Sequence, residues 1–279
     1  MSSAITSAET AVCLSTLALC YNSIQLFFKP ESMAAKTYGA DVAGDATSDC
    51  TYGTMQWCGL TVAHRAAIVI TGWFTATSDA AQATILKCAG LCSLVSAAKM
   101  AAHMHKLHPS LSPMEPDNVL LGTALAPALL CLYHSNAAKL PAFKFDFKDA
   151  HHVCAAAVAG FSFMHAYMFI FKGQESLDRF YVTEQRTCSA QSVDAMGWFG
   201  MAMAQTAFSV LVVFFTNTSQ WQRAATFLTL FGNMASAIAF TQLRVHHDKM
   251  TADTTNTAIS LVLAYGCFVL GWSIKPKSE

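Results

Sequence analysis

The chain has 279 residues, of which 54% are hydrophobic and only 12% are charged. Soluble domains carry about 25% charged residues, so this composition argues against a soluble globular protein. Seventeen basic residues balance seventeen acidic ones, which leaves no net charge to attract nucleic acid or an acidic partner.

The apolar residues form eight blocks of about twenty residues, the length that crosses the hydrocarbon core of a bilayer as a helix. We therefore predict an all-α integral membrane protein with eight transmembrane helices. In chain order they cover residues 10–28, 54–76, 81–103, 118–134, 152–171, 195–216, 222–243 and 257–272. Several blocks are rich in alanine, serine, threonine and cysteine, which favours burial against other helices over full exposure to lipid.

The two halves of the sequence match each other at a nearly constant offset, which indicates an internal duplication. Segments 55–66 and 196–207 share Met, Trp, Gly and two Ala, and Phe74-Thr-Ala-Thr-Ser matches Phe215-Thr-Asn-Thr-Ser. Each unit holds an even number of helices, so both units must enter the membrane from the same side. We predict two parallel four-helix repeats, residues 1–136 and 151–279, joined by a connector at 137–150.

Tryptophans mark two interfaces if the loops alternate sides. Trp57 and Trp198 fall at one face, whereas Trp73, Trp221 and Trp272 fall at the other. The first, here the loop-rich face, carries the segments near 29–53, 104–117, 172–194 and 244–256. The second, the terminal face, carries both termini and the connector. Basic residues divide too evenly to orient the chain, but the acidic excess of the loop-rich face favours an exoplasmic or lumenal position.

Two of the ten cysteines, Cys50 and Cys188, fall in the same loop of each repeat on the loop-rich face. A disulfide between them would tie the halves together in an oxidising compartment. Because the alignment places them a few residues out of register, two separate thiols are the alternative.

No enzymatic signature occurs in the sequence, which carries no GxSxG, HExxH, phosphate-binding loop, CxxC or CxxCH motif. None of the eight predicted helices contains Asp or Glu, which argues against ion-coupled transport. We therefore expect a protein that is not an enzyme. A small-residue stripe, Gly59 with Ala63 and Ala66, recurs as Gly200 with Ala204 and Ala207, and predicts that the second and sixth helices cross through these stripes.

Polar residues at matched depths are the candidate cofactor-binding residues. His64 aligns with Gln205, and His165 aligns with Asn22. Magnesium is a hard ion that accepts neutral nitrogen or oxygen, so these four residues could each be the single axial ligand of chlorophyll or another tetrapyrrole. Buried polar side chains that bond across helices are the alternative. Arg65, near the middle of the second helix, could bind a backbone carbonyl or the head group of a lipid or cofactor.

The leading hypothesis is a non-catalytic polytopic membrane subunit that packs within a larger complex, among membrane lipids and other membrane subunits. Bound chlorophyll-type pigments would connect it with photosynthesis and a thylakoid or other organellar membrane. One alternative is a transporter or channel for a small neutral or anionic solute, with Arg65 and His64 facing a pathway between the halves. A further alternative is a membrane redox enzyme that uses the histidines.

Overall fold

A computed structural model describes residues 2–39, 48–105, 118–181 and 189–273. Within these ranges the chain forms ten α-helices and no β-strand. They are α1 (Ser2–Phe28), α2 (Pro30–Tyr38), α3 (Ser48–Thr75), α4 (Asp79–Met104), α5 (Asn118–His134), α6 (Ala150–Phe171), α7 (Gly173–Phe180), α8 (Ala190–Thr216), α9 (Gln220–His246) and α10 (Thr254–Trp272). Six of these helices, α1, α4, α6, α8, α9 and α10, are long and apolar enough to cross a membrane. The protein is therefore a helical integral membrane protein.

The two remaining long helices differ from those six in environment or length. Helix α3 has 28 residues and lies against α1, α8 and α9, so much of its surface faces protein. Because α3 contacts protein over much of its surface, it does not need to be apolar on all sides. Helix α5 has 17 residues, contains Pro127, and has a shorter apolar stretch at Leu121–His134.

Several helices begin earlier than the sequence predicts, at Ser2, Ser48 and Ala190. Apolar windows detect only the segment that suits lipid, whereas the helix itself continues to a capping residue. At α8 that residue is Ser189, whose hydroxyl accepts a hydrogen bond from the Ser192 backbone N–H. Glu9, Asp49 and Asp194 consequently lie within helices, in the parts that extend beyond the predicted apolar segments.

Two short helices, α2 and α7, follow the first long helix of each half and were not predicted. Each begins after a lysine, Lys29 or Lys172, with φ at −131° in both cases and ψ at 48° and 41°. Both helices are short and largely polar, so a search for apolar blocks passes over them.

The helices pack in a corresponding order in the two halves. Helix α1 packs on α3 as α6 packs on α8, and α4 packs on α5 as α9 packs on α10. Helices α3 and α8 contact each other between the halves, with α3 against α9 and α4 against α8 beside them. The contact between α1 and α5 is more extensive than the corresponding contact between α6 and α10.

The glycines of the small-residue stripes permit close packing within each half. A β-carbon on Gly59 would lie 2.9 Å from Ser23 O and Phe27 N of α1, and one on Gly200 would lie 2.9 Å from Ala166 O of α6. Real β-carbons do not approach backbone atoms this closely. Helices α3 and α8 contact each other as the small-residue stripes predicted, but Gly59 and Gly200 face α1 and α6 and lie outside this interface.

The interface between α3 and α8 uses a different glycine, Gly72. A β-carbon at this position would lie 2.6 Å from Cγ2 of Val213. Near this end of the interface, Asn217 donates to Gly72 O at 3.3 Å and to Thr75 Oγ1 at 3.1 Å. Cys188 lies outside the described residues, so its bridge to Cys50 stays a prediction.

Candidate functional site

Two cavities in the bundle contain all five candidate residues. Cavity A encloses about 220 Å³ and is lined by His64 and His165. Cavity B encloses about 120 Å³ and is lined by Asn22, Arg65 and Gln205.

Residues of α3 and α8 that align between the two halves line opposite cavities. Three residues of α3 in cavity A (Trp57, Thr61 and His64) correspond to three of α8 in cavity B (Trp198, Ala202 and Gln205), each 141 positions later. At the same offset, three residues of α3 in cavity B (Cys58, Val62 and Arg65) correspond to three of α8 in cavity A (Phe199, Met203 and Thr206). The structure thus places the candidate ligands His64 and His165 in cavity A, and the candidate ligands Asn22 and Gln205 in cavity B.

His64 and Arg65 line different cavities, because successive residues of an α-helix point about 100° apart. The transport hypothesis expected the two side chains to face one pathway between the halves. They do not do so in this structure.

His165 has one ring nitrogen occupied and one free to bind. Its Nδ1 lies 2.9 Å from the carbonyl oxygen of Phe161, one turn earlier in α6. A carbonyl oxygen can only accept, so Nδ1 carries the proton and Nε2 keeps its lone pair. Histidines that bind metals usually donate their other ring N–H in this way, which fixes the tautomer and the ring orientation.

His64 adopts the opposite tautomer. Its Nε2 lies 2.8 Å from Ser236 Oγ, and that hydroxyl donates its single proton to Asn233 O at 2.8 Å. Nε2 of His64 must therefore donate to Ser236, and Nδ1 keeps the lone pair. Both histidines are neutral in this arrangement.

Aromatic rings form much of the wall of cavity A. The rings of Phe161 and Phe169 lie 4.3 and 5.7 Å from the His165 ring, centroid to centroid. Phe169 stacks on Phe199 at 4.8 Å, and Phe199 stacks on Trp57 at 5.7 Å. This series of flat faces favours a planar, largely apolar ligand.

Asp253, the N-cap of α10, lines cavity A toward the loop-rich face. One carboxylate oxygen accepts from Arg179 Nη2 at 2.8 Å and from Nε at 3.1 Å, and the other accepts from the Asn256 backbone N–H. Burial alone would raise the pKa of Asp253, but these hydrogen bonds and the Arg179 charge outweigh burial and lower the pKa. Asp253 is therefore ionised at neutral pH.

A buried arginine dominates the polar part of cavity B. Arg65 is 4% exposed, and its Nη1 donates to Gln205 Oε1. Gln205 Nε2 in turn donates to Cys92 O and to Ser96 Oγ, both at 3.0 Å. The Gln205 amide is therefore fully engaged with protein partners.

Asp194 stands at the end of cavity B toward the loop-rich face. Its Oδ2 accepts from Tyr38 Oη at 2.8 Å and from Trp198 Nε1 at 3.1 Å, and its Oδ1 lies 3.6 Å from His103 Nε2. Burial raises the pKa of Tyr38 well above its usual value, and the charge of Asp194 raises it further, so Tyr38 remains a donor. This cluster was not predicted from the sequence, because Asp194 falls in the predicted loop near 172–194. The spacing of Asp194 and Trp198, one helical turn, was the available signal.

No family model, curated protein or solved structure matches the chain. Within the described ranges, no three His, Cys, Asp or Glu side chains gather as a metal-binding group.

Proposed function

We propose that the protein is a non-catalytic membrane subunit of eight transmembrane helices, arranged as two parallel four-helix repeats. The corresponding helix order, the matching backbone at Lys29 and Lys172, and the alternating linings of the cavities support the repeat. Length supports α3 as an additional span, whereas α5 stands at the short end of the range for a transmembrane helix. Helix α3 would rise about 42 Å and α5 about 26 Å, against a hydrocarbon core of about 30 Å.

Cavity A binds a metal tetrapyrrole of the chlorophyll class, with His165 as its axial ligand. The observation that carries this proposal is the His165 ring, whose Nδ1 is held by Phe161 while Nε2 stays available beside stacked aromatic rings. A bare metal ion needs several protein ligands, whereas a tetrapyrrole supplies four nitrogens and needs only one more. A neutral imidazole nitrogen suits magnesium in such a ring.

The size of cavity A constrains how such a ring would lie. Ligand sites usually enclose about 300–1,000 Å³, more than the 220 Å³ of cavity A. The cavity would therefore enclose part of the macrocycle. The rest would reach lipid between α6 and α10, the helix pair that packs less extensively than its counterpart.

Cavity B is the weaker candidate for a pigment. Gln205, which aligns with His64, already uses its amide on Arg65, Cys92 and Ser96. Asn22, which aligns with His165, has a buried Oδ1 without a hydrogen-bond partner among the described residues. We therefore assign the tetrapyrrole to cavity A.

The outer surface suits lipids and neighbouring membrane subunits. Large apolar side chains such as Leu17, Phe28, Tyr133, Val262 and Trp272 are more than half exposed. In a bilayer they would contact acyl chains or other transmembrane helices. A pigment-binding subunit of this kind would function in a thylakoid or another organellar membrane complex.

The test is an absorption spectrum of the protein purified from its native membrane in mild detergent, followed by pigment extraction and quantification. We expect a red chlorophyll band and about one tetrapyrrole fewer per chain in His165→Leu than in the wild type. Asn22→Leu, the equivalent change in the other half, is the matched control and should keep the full complement.

A colourless, monodisperse wild-type protein would contradict the pigment assignment, as would equal pigment content in the two variants. Solute-dependent thermal stability of a colourless protein would instead support transport. A Soret band with α and β peaks would instead support a haem redox protein.

A further inference from the structure

Arg65 is a charged side chain in the middle of the bundle without an acidic partner. It lines cavity B, and none of the ion pairs among the described residues includes it. The one hydrogen bond found for its guanidinium goes to the neutral amide of Gln205. An isolated charge away from water is costly, so the guanidinium calls for a negative group in the cavity.

The groups around Arg65 hold it in place and do not neutralise it. Gln205 is fixed by Cys92 O and Ser96 Oγ, and it keeps Nη1 of Arg65 occupied. Asp194 already accepts hydrogen bonds from Tyr38 and Trp198 and lies 3.6 Å from His103 Nε2. The other N–H groups of the Arg65 guanidinium can therefore donate to an oxyacid, because their geometry matches that of its oxygens.

A second observation in cavity B also indicates a bound polar group. Asn22 Oδ1 is buried without a hydrogen-bond partner, in a cavity that also contains the Arg65 guanidinium. An unpaired buried amide oxygen is costly. Since amide oxygen and nitrogen can exchange places by a flip, the Asn22 amide could donate to an anion or accept from an adjacent hydroxyl.

Apolar side chains form much of the remaining wall of cavity B. Leu19, Leu26, Val62, Met100 and Pro127 line it, and its volume of about 120 Å³ suits a small head group with the first part of a chain. A second cation lies toward the loop-rich face, where Lys99 Nζ stands 4.2 Å from the centroid of the Trp198 ring. The cavity thus combines a central cation with largely apolar walls.

We propose that cavity B binds the anionic group of a lipid, a carboxylate or a phosphate carried on a hydrocarbon chain, through Arg65 and Asn22. Arg65 supplies the charge, and the apolar walls contact the start of the chain. This site lies in a different cavity from the proposed tetrapyrrole, and it does not depend on that proposal.

The first experiment identifies lipids that remain with the protein after purification in mild detergent, by native mass spectrometry and lipid extraction. We expect about one anionic lipid per chain in the wild type, and its loss in Arg65→Gln. Arg223→Gln, which removes an arginine near Asp149 on the terminal face, is the matched control and should keep the lipid.

A second measurement keeps the proposal testable if Arg65→Gln does not fold. Delipidated wild-type protein is titrated with palmitate, phosphatidylglycerol, methyl palmitate and inorganic phosphate, and thermal stability is followed. Palmitate stabilisation identifies a carboxylate, and phosphatidylglycerol stabilisation identifies a phosphate; uncharged methyl palmitate should have no effect. Where Arg65→Gln folds, its affinity for the stabilising lipid should fall about 10- to 100-fold.

Three outcomes would overturn the proposal. They are the absence of any retained or stabilising anionic lipid, equal retention by Arg65→Gln and the wild type, and stabilisation by methyl palmitate equal to that by palmitate. Inorganic phosphate that stabilises as well as either lipid would overturn the assignment of a hydrocarbon chain. Pigment content measured on the same samples reports separately on cavity A.

Discussion

Leucine at Gly59 or Gly200 is expected to destabilise the protein by more than about 3 kcal/mol, beyond the usual cost of overpacking a core. A β-carbon at either position would lie 2.9 Å from backbone atoms of the adjacent helix, α1 or α6. Backbone atoms of a packed helix cannot move aside as the end of a flexible side chain can. The first and second long helices of that half would have to separate.

Gly122→Leu and Gly160→Leu are the matched controls, because a β-carbon on either glycine would meet nothing within 4 Å. Both positions are exposed, and leucine is a better helix former than glycine. Thermal unfolding in detergent, followed by tryptophan fluorescence, should leave these two variants at or above the wild-type midpoint. Equal midpoints for all four variants would show that α1 and α6 do not pack on α3 and α8 as described.

Gln205→Leu is expected to destabilise the protein by about 1.5–3 kcal/mol, the usual worth of a hydrogen bond to a charged group. The change leaves the Arg65 guanidinium without its neutral acceptor, and it leaves Cys92 O and Ser96 Oγ without a donor. The lost free energy comes from the hydrogen bond to Arg65 and from the two groups left without a donor.

The double variant Arg65→Met with Gln205→Leu provides the control for this interpretation. Removing the charge together with its acceptor should recover most of the stability, since apolar replacements of a buried polar pair are often nearly neutral. Thermal midpoints of the two single variants and the double variant form a complete cycle. Additive losses across that cycle would mean that Arg65 and Gln205 do not interact.

Hydropathy predicted the positions of the eight long helices, because apolar residues cluster along each of them. It could not predict where they begin. Ala190, for example, lies in a polar segment, where the capping interaction of Ser189 marks the start of the helix. The short helices α2 and α7 have too few apolar residues for hydropathy to detect them. The pair Glu-Ser occurs in both helices, as Glu31-Ser32 and Glu175-Ser176.

The glycine stripes show why packing partners are harder to predict than packing surfaces. Gly59 and Gly200 lie on surfaces of close approach, as the small-residue spacing predicted. Each helix has several neighbours, however, and spacing along one helix does not specify which neighbour approaches. Here Gly59 meets α1, whereas Gly72 meets α8.

The alignment of the halves predicted which polar residues correspond, but not which share a cavity. Each cavity is lined by residues of both α3 and α8, so aligned positions fall in opposite cavities. His64 therefore joins His165, whereas its counterpart Gln205 joins Asn22. The free Nε2 of His165 and the engagement of Gln205 depend on partners such as Phe161 O and Cys92 O, which no sequence pattern specifies.

Side-specific lysine labelling tests the parallel arrangement of the two halves most directly. Lys29 and Lys172 end the first long helix of each half, whereas Lys144 and Lys148 lie in the connector, and all four are exposed. Sealed vesicles would be treated with a membrane-impermeant amine reagent from either side, and the labelled lysines identified by mass spectrometry. Lys29 and Lys172 should react from the same side, opposite to Lys144 and Lys148. Reaction of Lys29 and Lys172 from opposite sides would contradict the two parallel four-helix repeats.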